Sequence, residues 1–279
     1  MLRGGKNRRR IDQAAVRAAA TGVALRTGKA VGIIALLVGI CAGTAFGASK
    51  LKNYLYTSPT FAIERFSFDG VRHASEDELT RLSGISVGDN IFEVDLFGAE
   101  KLMLAHPWVR KLSLEREYPR TLVVRVIEHE PAALADLGGL YFVDEQGKAF
   151  KKLAPGEEAD LPILRGFTRE DYTAHPAEIE ELQREALYAL GSYRESGLEK
   201  TTPVSEVKLD RVDGMTFYCG KDAVAVKLGV KDYREKFARL EQLFAELSKK
   251  GARAEVIRLD NRTRPGWVAV QLAQGASGQ

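Results

Sequence analysis

Hydrophobic and polar positions along this chain follow three different patterns. Residues 30–49, AVGIIALLVGICAGTAFGAS, form twenty consecutive positions without a charge, between Lys29 and Lys50. As a helix that run is about 30 Å long, the hydrocarbon thickness of a bilayer, and it is apolar on every side, unlike a surface helix of a soluble domain. It predicts a membrane-spanning helix. Ala35, Gly39, Gly43 and Gly47 recur every fourth position, so they share a helix face that a second membrane helix could approach closely. A cleaved signal with a small-x-small site at Ala45-Phe46-Gly47 is the competing reading. The long basic region before the run, its length, and the aromatic anchors Tyr54 and Tyr56 after it favour an uncleaved anchor.

Past a connector over 50–60 that ends near Pro59, the period changes to two. FAIERFSF, 61–68, supplies aromatic and β-branched residues for a strand. Ser75 with Glu78 three residues on reads as a capping box opening a helix toward Ser83. A second helix is predicted over 95–105, stopped by His106-Pro107. VRKLSLER and TLVVRVIE alternate on either side of the Tyr118-Pro119 turn, with Leu122, Val124 and Val126 on one face, which predicts an antiparallel pair with one face buried. The order over 61–130 is therefore β-α-α-β-β.

From Pro131 short strands predominate, with a turn at Asp144 to Gly147 and a further element in LPILRGF, 161–167. Pro176 opens a helix whose Ile179, Leu182, Ala186, Ala189 and Tyr193 share one face, ended by Gly197. SEVKLD, MTFYCG and AVAVKLG are three strands. Residues 231–250 form the most regular helix, with Tyr233, Phe237, Leu240, Phe244 and Leu247 at steps of three and four and Gly251 as its stop. That stripe is read as packing on the domain's own sheet. AEVIRLD and GWVAVQL supply two last strands, and 273–279 reads as a disordered tail.

Charge sets the topology. Of the 41 Lys and Arg in the 279 residues, eight lie in the first 29 positions, against the single acid Asp12. That asymmetry predicts a cytoplasmic basic tail (1–29), a spanning helix (30–49) and an exterior C-terminal part. Without those eight bases and Asp12 the remainder is about four charges negative, which leaves no electrostatic footprint for nucleic acid. Cys41 falls in the apolar run and Cys219 in a strand, so neither suits a bridge, and the exterior part must be stabilised by core burial.

HPWVRKLSLEREYPRTLVVRVIEHEPAA, 106–133, resembles the second half of a POTRA domain, a small module that serves protein–protein contact next to membranes. One such module directly after an N-terminal anchor, followed by a β-rich domain, is similar to the FtsQ/DivIB family of bacterial cell-division proteins. Asp260-Asn261-Arg262 resembles that family's Asp-x-Arg signature, with Asn261 in place of its usual apolar central residue. The resemblance implies an α+β protein: a single N-terminal transmembrane helix, a POTRA domain (61–130) and a C-terminal mixed β-sheet domain with flanking helices (131–272). It implies a non-catalytic divisome scaffold in the inner (cytoplasmic) membrane, enriched at the septum, with FtsB and FtsL as partners and self-association left open. A POTRA-containing transport or chaperone factor is the alternative.

No catalytic or cofactor chemistry is visible. His73, His106, His129 and His175 lack ligand spacing, there is no nucleophile elbow or phosphate loop, and His129 reads as lying at a strand end between the solvated charges Glu128 and Glu130. No metal, cofactor or catalytic residue is expected. The functional expectation rests on the final strand, Trp267, Val268, Ala269, Val270, Gln271 and Leu272. If it lies at a sheet edge, its free backbone groups can accept a partner strand. On sequence grounds alone, a proline at Ala269 should block that pairing. Gly39, Gly43 and Gly47 are the expected helix-packing positions in the membrane.

Overall fold

A computed structural model describes residues 13–261, 263–264 and 266–273, with side chains at Lys29 and from Gly32 onward. The basic positions up to Asp12, Arg262 of the family-like signature and the tail at 274–279 lie outside the described residues.

Helix α1 (Gln13–Thr57) runs straight through the apolar segment and beyond it at both ends. The stretch read as a connector is thus helical to Thr57: nothing in KLKNYLYT breaks a helix, and the stop comes only where Pro59 would clash with the preceding turn. Its residues from Gly32 to Thr57 are long and apolar enough to cross a membrane, and none of that window is buried by the rest of the chain.

The chain divides into two compact units. The first comprises Met1–Ser67, Ile85–Leu96 and Glu115–Val123. Within it, Ile63 and Ile91 are fully buried, and the loop after residue 85 is laced to the segment following α1: Ile63 N–H donates to Asp89 C=O, Gly88 N–H to Ile63 C=O and Ile91 N–H to Phe61 C=O. Arg116 donates to the carbonyls of Ile91 and Val94 at 2.6 and 2.8 Å, which holds the same loop from the other side.

The second unit comprises Phe68–Gly84, Phe97–Leu114 and Val124–Gln279. Three strands that each contribute residues to both units, β1 (Arg65–Asp69), β2 (Val109–Glu117) and β3 (Thr121–Glu128), pair in the order β1-β3-β2, with helices α2 (Glu76–Ser83) and α3 (Leu96–Met103) between the first and second in sequence. The predicted β-α-α-β-β order is present. Ser75 sits at the N-cap of α2 with extended backbone, but its side chain makes no capping hydrogen bond. The predicted capping box is not formed.

The remaining strands form one nine-stranded mixed sheet: β4 (Pro131–Asp136), β5 (Leu140–Asp144), β6 (Ala149–Lys152), β7 (Ile163–Arg165), β8 (Val204–Asp210), β9 (Gly214–Cys219), β10 (Val224–Gly229), β11 (Ala254–Arg258) and β12 (Ala269–Leu272), ordered β12-β11-β10-β9-β8-β7-β4-β5-β6. Its two long crossovers carry the helices. Helices α4 (Arg169–Ala174) and α5 (Pro176–Glu195) link the parallel pair β7–β8, and α6 (Tyr233–Lys250) links the parallel pair β10–β11, as parallel pairing requires. The periodicity had not shown α4, a six-residue helix closed by a capping box between Thr168 and Asp171. Tyr193 of α5, Phe217 of β9 and Phe237 of α6 meet at centroid separations of 5.1–5.9 Å at the centre of the core. Cys219 is buried beside them, and burial pushes its thiol up to about 12, so it is an inert packing residue.

Candidate partner-docking edge

The mixed sheet ends at β6 and at β12. On β6 the Tyr172 hydroxyl accepts from Ala149 N–H at 3.2 Å, and just past the strand Glu157 accepts from the Lys151 ammonium at 2.6 Å and from Ala154 N–H at 2.9 Å. The Lys151 ammonium, together with that N–H, holds the Glu157 carboxyl below its usual range. At the other edge β12, among the described residues, pairs only with β11.

The direction of each backbone group on β12 follows from the register. Ala273 N–H donates to Arg253 C=O at 2.9 Å, and Ala254 stands opposite Leu272. In an antiparallel pair hydrogen-bonded and non-hydrogen-bonded positions alternate, so Leu272 points its N–H and C=O away from β11, Gln271 toward it, Val270 away and Ala269 toward it. An independent bond agrees: Leu259 N–H donates to Lys227 of β10, so the preceding Arg258 faces β12, where it stands opposite Ala269. The bulge that absorbs the extra residue lies in β11, between Ala254 and Val256, so the alternation along β12 is unbroken. The free groups of the edge belong to Val270 and Leu272.

The six positions expected to act as one strand thus divide. Only Ala269 to Leu272 are in the strand; Trp267 and Val268 precede it, and Trp267 N–H closes a turn onto Arg264 C=O. Val268 and Val270 pack against the core, while Ala269, Gln271 and Leu272 are exposed. Trp267 is 63% exposed, its ring covered by the Arg264 guanidinium at 4.6 Å, so it does not roof the core. Gln271 donates to Glu255 at 3.0 Å and Arg258 binds Asp260 at 3.1–3.2 Å, which holds the polar flank of the edge in place. Asn261, in the family-like signature, uses its side-chain oxygen to accept from the N–H groups of Thr263 and Arg264, which shapes the turn leading to Trp267.

The periodicity missed a brace at this end of the sheet. Lys236 lies on the buried side of α6, and its ammonium donates to the carbonyls of Leu228, Val230 and Lys231 at 2.7–2.9 Å. Burial lowers its pKa. It fixes the turn in which Lys231 and Asp232 both take left-handed backbone, a conformation costly for residues with a Cβ. The signal was present in the sequence: position 236 falls within the apolar stripe between Tyr233 and Leu240.

Elsewhere the strand-end charges were misread. Glu128 and His129 are not solvated; both are more than nine-tenths buried. Glu128 has the parity of Leu122, Val124 and Val126, so its carboxylate enters the buried face and accepts from the N–H groups of Arg72, His73 and Ala74 and from the His73 ring. His129 pairs with Asp144 at 2.7 Å and stacks on Phe150. Glu130 alone is exposed. Among the described residues no cluster of His, Cys, Asp or Glu has the arrangement of a metal site. On α1, Gly39, Gly43 and Gly47 are exposed and have open space where a Cβ would stand.

Comparison with known proteins matches this architecture. A family model described as POTRA domain, FtsQ-type, matches residues 61–129, and one described as Cell division protein FtsQ/DivIB, C-terminal, matches 133–262. A protein of Myxococcus fulvus named Cell division protein FtsQ is 38% identical over 274 residues, 98% of this chain and 95% of that one. The chain belongs to the FtsQ/DivIB family. Proteins of the same name from Anaeromyxobacter (36% over 218 residues, 78% of this chain and 74% of the relative) and Geobacter (30% over 221 residues, 79% and 81%) are similar over most of their lengths. In this FtsQ/DivIB chain the C-terminal family match stops at residue 262, so β12 and the Trp267 turn lie just past it.

Proposed function

We infer that this chain is a non-catalytic, single-pass membrane scaffold of the bacterial divisome, with its N-terminus cytoplasmic and its two family domains outside, and that β12 is the edge on which a partner strand docks. The observation that carries the docking reading is the place of β12 at the end of the sheet: among the described residues the outward groups of Val270 and Leu272 have no strand partner. An added strand would satisfy them, and Trp267 with its Arg264 lid offers an amphipathic anchor beside the edge. The partners implied by the family resemblance are FtsB and FtsL.

The register corrects the sequence-based test. A proline at Ala269 would remove an N–H that faces β11 and damage the sheet itself. Val270→Pro removes an outward N–H and leaves the β11 ladder intact. Partner affinity should fall for Val270→Pro in the full chain while the melting temperature stays near the parent's; unchanged affinity in that folded variant refutes docking on this edge. An N-terminal fluorescent fusion should form a midcell band in dividing cells. An even envelope distribution of an intact, functional fusion would favour the transport-factor alternative.

A further inference from the structure

The C-terminal end of α1 carries more than a linker. Tyr54 and Tyr56 are exposed by 57% and 37%, and the side-chain amide of Asn90 donates to the carbonyls of Leu55 and Tyr56, both at 2.9 Å, which caps the last turn of the helix. The Asn90 side-chain oxygen accepts from Phe92 N–H at 2.9 Å and so aims the Phe92 ring. Tyr56 stacks on Phe92 (6.4 Å, 27°), and Phe92 stacks on Tyr118 (5.4 Å, 26°), a continuous aromatic column from the helix to the turn between β2 and β3. Phe61 closes its side by edge contacts to Tyr54 and Phe92. The turn is itself tied down, since Arg120 donates to Thr60 C=O at 3.1 Å and pairs with Glu64. All of these residues belong to the same compact unit as α1.

Position along the helix fixes the level of this column. With a rise of about 1.5 Å per residue, Lys50 and Lys52 stand within about 5 Å of Ser49, the last residue of the uncharged run, and Tyr54 and Tyr56 about 8–10 Å beyond it. The headgroup layer of a bilayer is about 5–8 Å deep on each side, which takes in Lys50, Lys52 and Tyr54, and a helix tilt of about 40°, the upper end of the usual range, brings Tyr56 down to about 8 Å. Tyr118, 58% exposed, is joined to Tyr56 through Phe92 by centroid steps of 6.4 and 5.4 Å, which ties its ring to the helix end. Tyrosines with apolar rings and polar tips, together with lysines, are the side chains that this layer accommodates.

We propose that the Asn90–Phe92 loop and Tyr118 are seated in the headgroup layer of the same membrane that α1 crosses, so that the unit containing α1 rests on the bilayer rather than hanging from a flexible tether. The occupant of this surface is lipid, through headgroup phosphates at Lys50 and Lys52 and ring burial at Tyr54, Tyr56 and Tyr118. The proposal rests on α1 being a bilayer helix.

The test uses the full chain in nanodiscs of phosphatidylethanolamine and phosphatidylglycerol, with spin labels read by collision with oxygen, which concentrates in lipid, and with a water-soluble nickel chelate. A label on Cys41 reports whether α1 is in the bilayer. In a Cys41→Ala background, where the buried Cys219 does not label, Tyr118→Cys is compared with Val212→Cys, an exposed position on the β8–β9 turn. The oxygen-to-nickel ratio at 118 should be shifted from the value at 212 toward that at Cys41. A lipid signature at Cys41 with an aqueous ratio at 118 overturns the seat and leaves the anchor standing. An aqueous ratio at Cys41 overturns the anchor itself. A ratio at 118 low for both reagents, with an immobilised label, indicates a protein neighbour there and also overturns the proposal.

Discussion

Glu128→Gln tests whether a single buried carboxylate holds the residues ahead of α2. In the parent, Glu128 accepts at 2.9–3.1 Å from three consecutive N–H groups, those of Arg72, His73 and Ala74, and at 2.9 Å from the His73 ring. Burial pushes its carboxyl pKa up, but these donors outweigh burial and hold it below the ordinary carboxylate value. A hydrogen bond to a charged acceptor contributes about 1.5–3 kcal/mol against about 0.5–1.5 for a neutral one. The amide also presents a donor to a donor at one oxygen position, so the substitution should cost about 2–3 kcal/mol. The sign of the pH dependence follows from the lowered value. The stabilisation is fully present above the unfolded carboxylate pKa and is lost as pH falls through the lower folded one. Thermal unfolding of the full chain in micelles, in a Trp267→Phe background followed by Trp108 fluorescence, is a local readout because the indole stacks on His73 at 4.2 Å. The gap between parent and variant should shrink as pH falls below about 4.5. A gap under about 0.5 kcal/mol at pH 7, or one that keeps widening below pH of about 4.5, refutes the reasoning.

Lys236→Met should destabilise the C-terminal sheet by about 2–3 kcal/mol in thermal unfolding, since three carbonyls lose a charged donor; a neutral result would show that water replaces the ammonium. Trp267→Ala should leave the melting temperature within experimental scatter, because the ring is exposed, and should weaken partner binding by about tenfold or more if it is an anchor, measured by titration with the partner. Asn90→Ala should raise amide hydrogen exchange over 53–57 while exchange at β9 is unchanged, because only the helix end loses its cap.

How much of this was legible beforehand varied with the range of the interaction involved. The apolar run, the alternation in β3 and the stripe on α6 are local periodicities, so the sequence itself determined a bilayer-length helix, a β-α-α-β-β order and an amphipathic helix among the later strands, while the mixed sheet was implied only by the family resemblance. Short elements without a full period escaped, as α4 did. Residues whose meaning depends on distant partners were read wrongly or not at all: Glu128 finds its donors 54–56 positions away, and Asn90 caps carbonyls 34 and 35 positions earlier. The strand parity that placed Glu128 on the buried face was visible, but nothing local showed that three N–H groups awaited it there. At β12 the sequence determined that a strand forms. Only the tertiary structure decided that it lies at an open edge and that Val270, not Ala269, directs its N–H outward, because that direction depends on a bulge in β11 and on hydrogen bonds to Arg253 and Lys227 that no periodicity within the strand encodes.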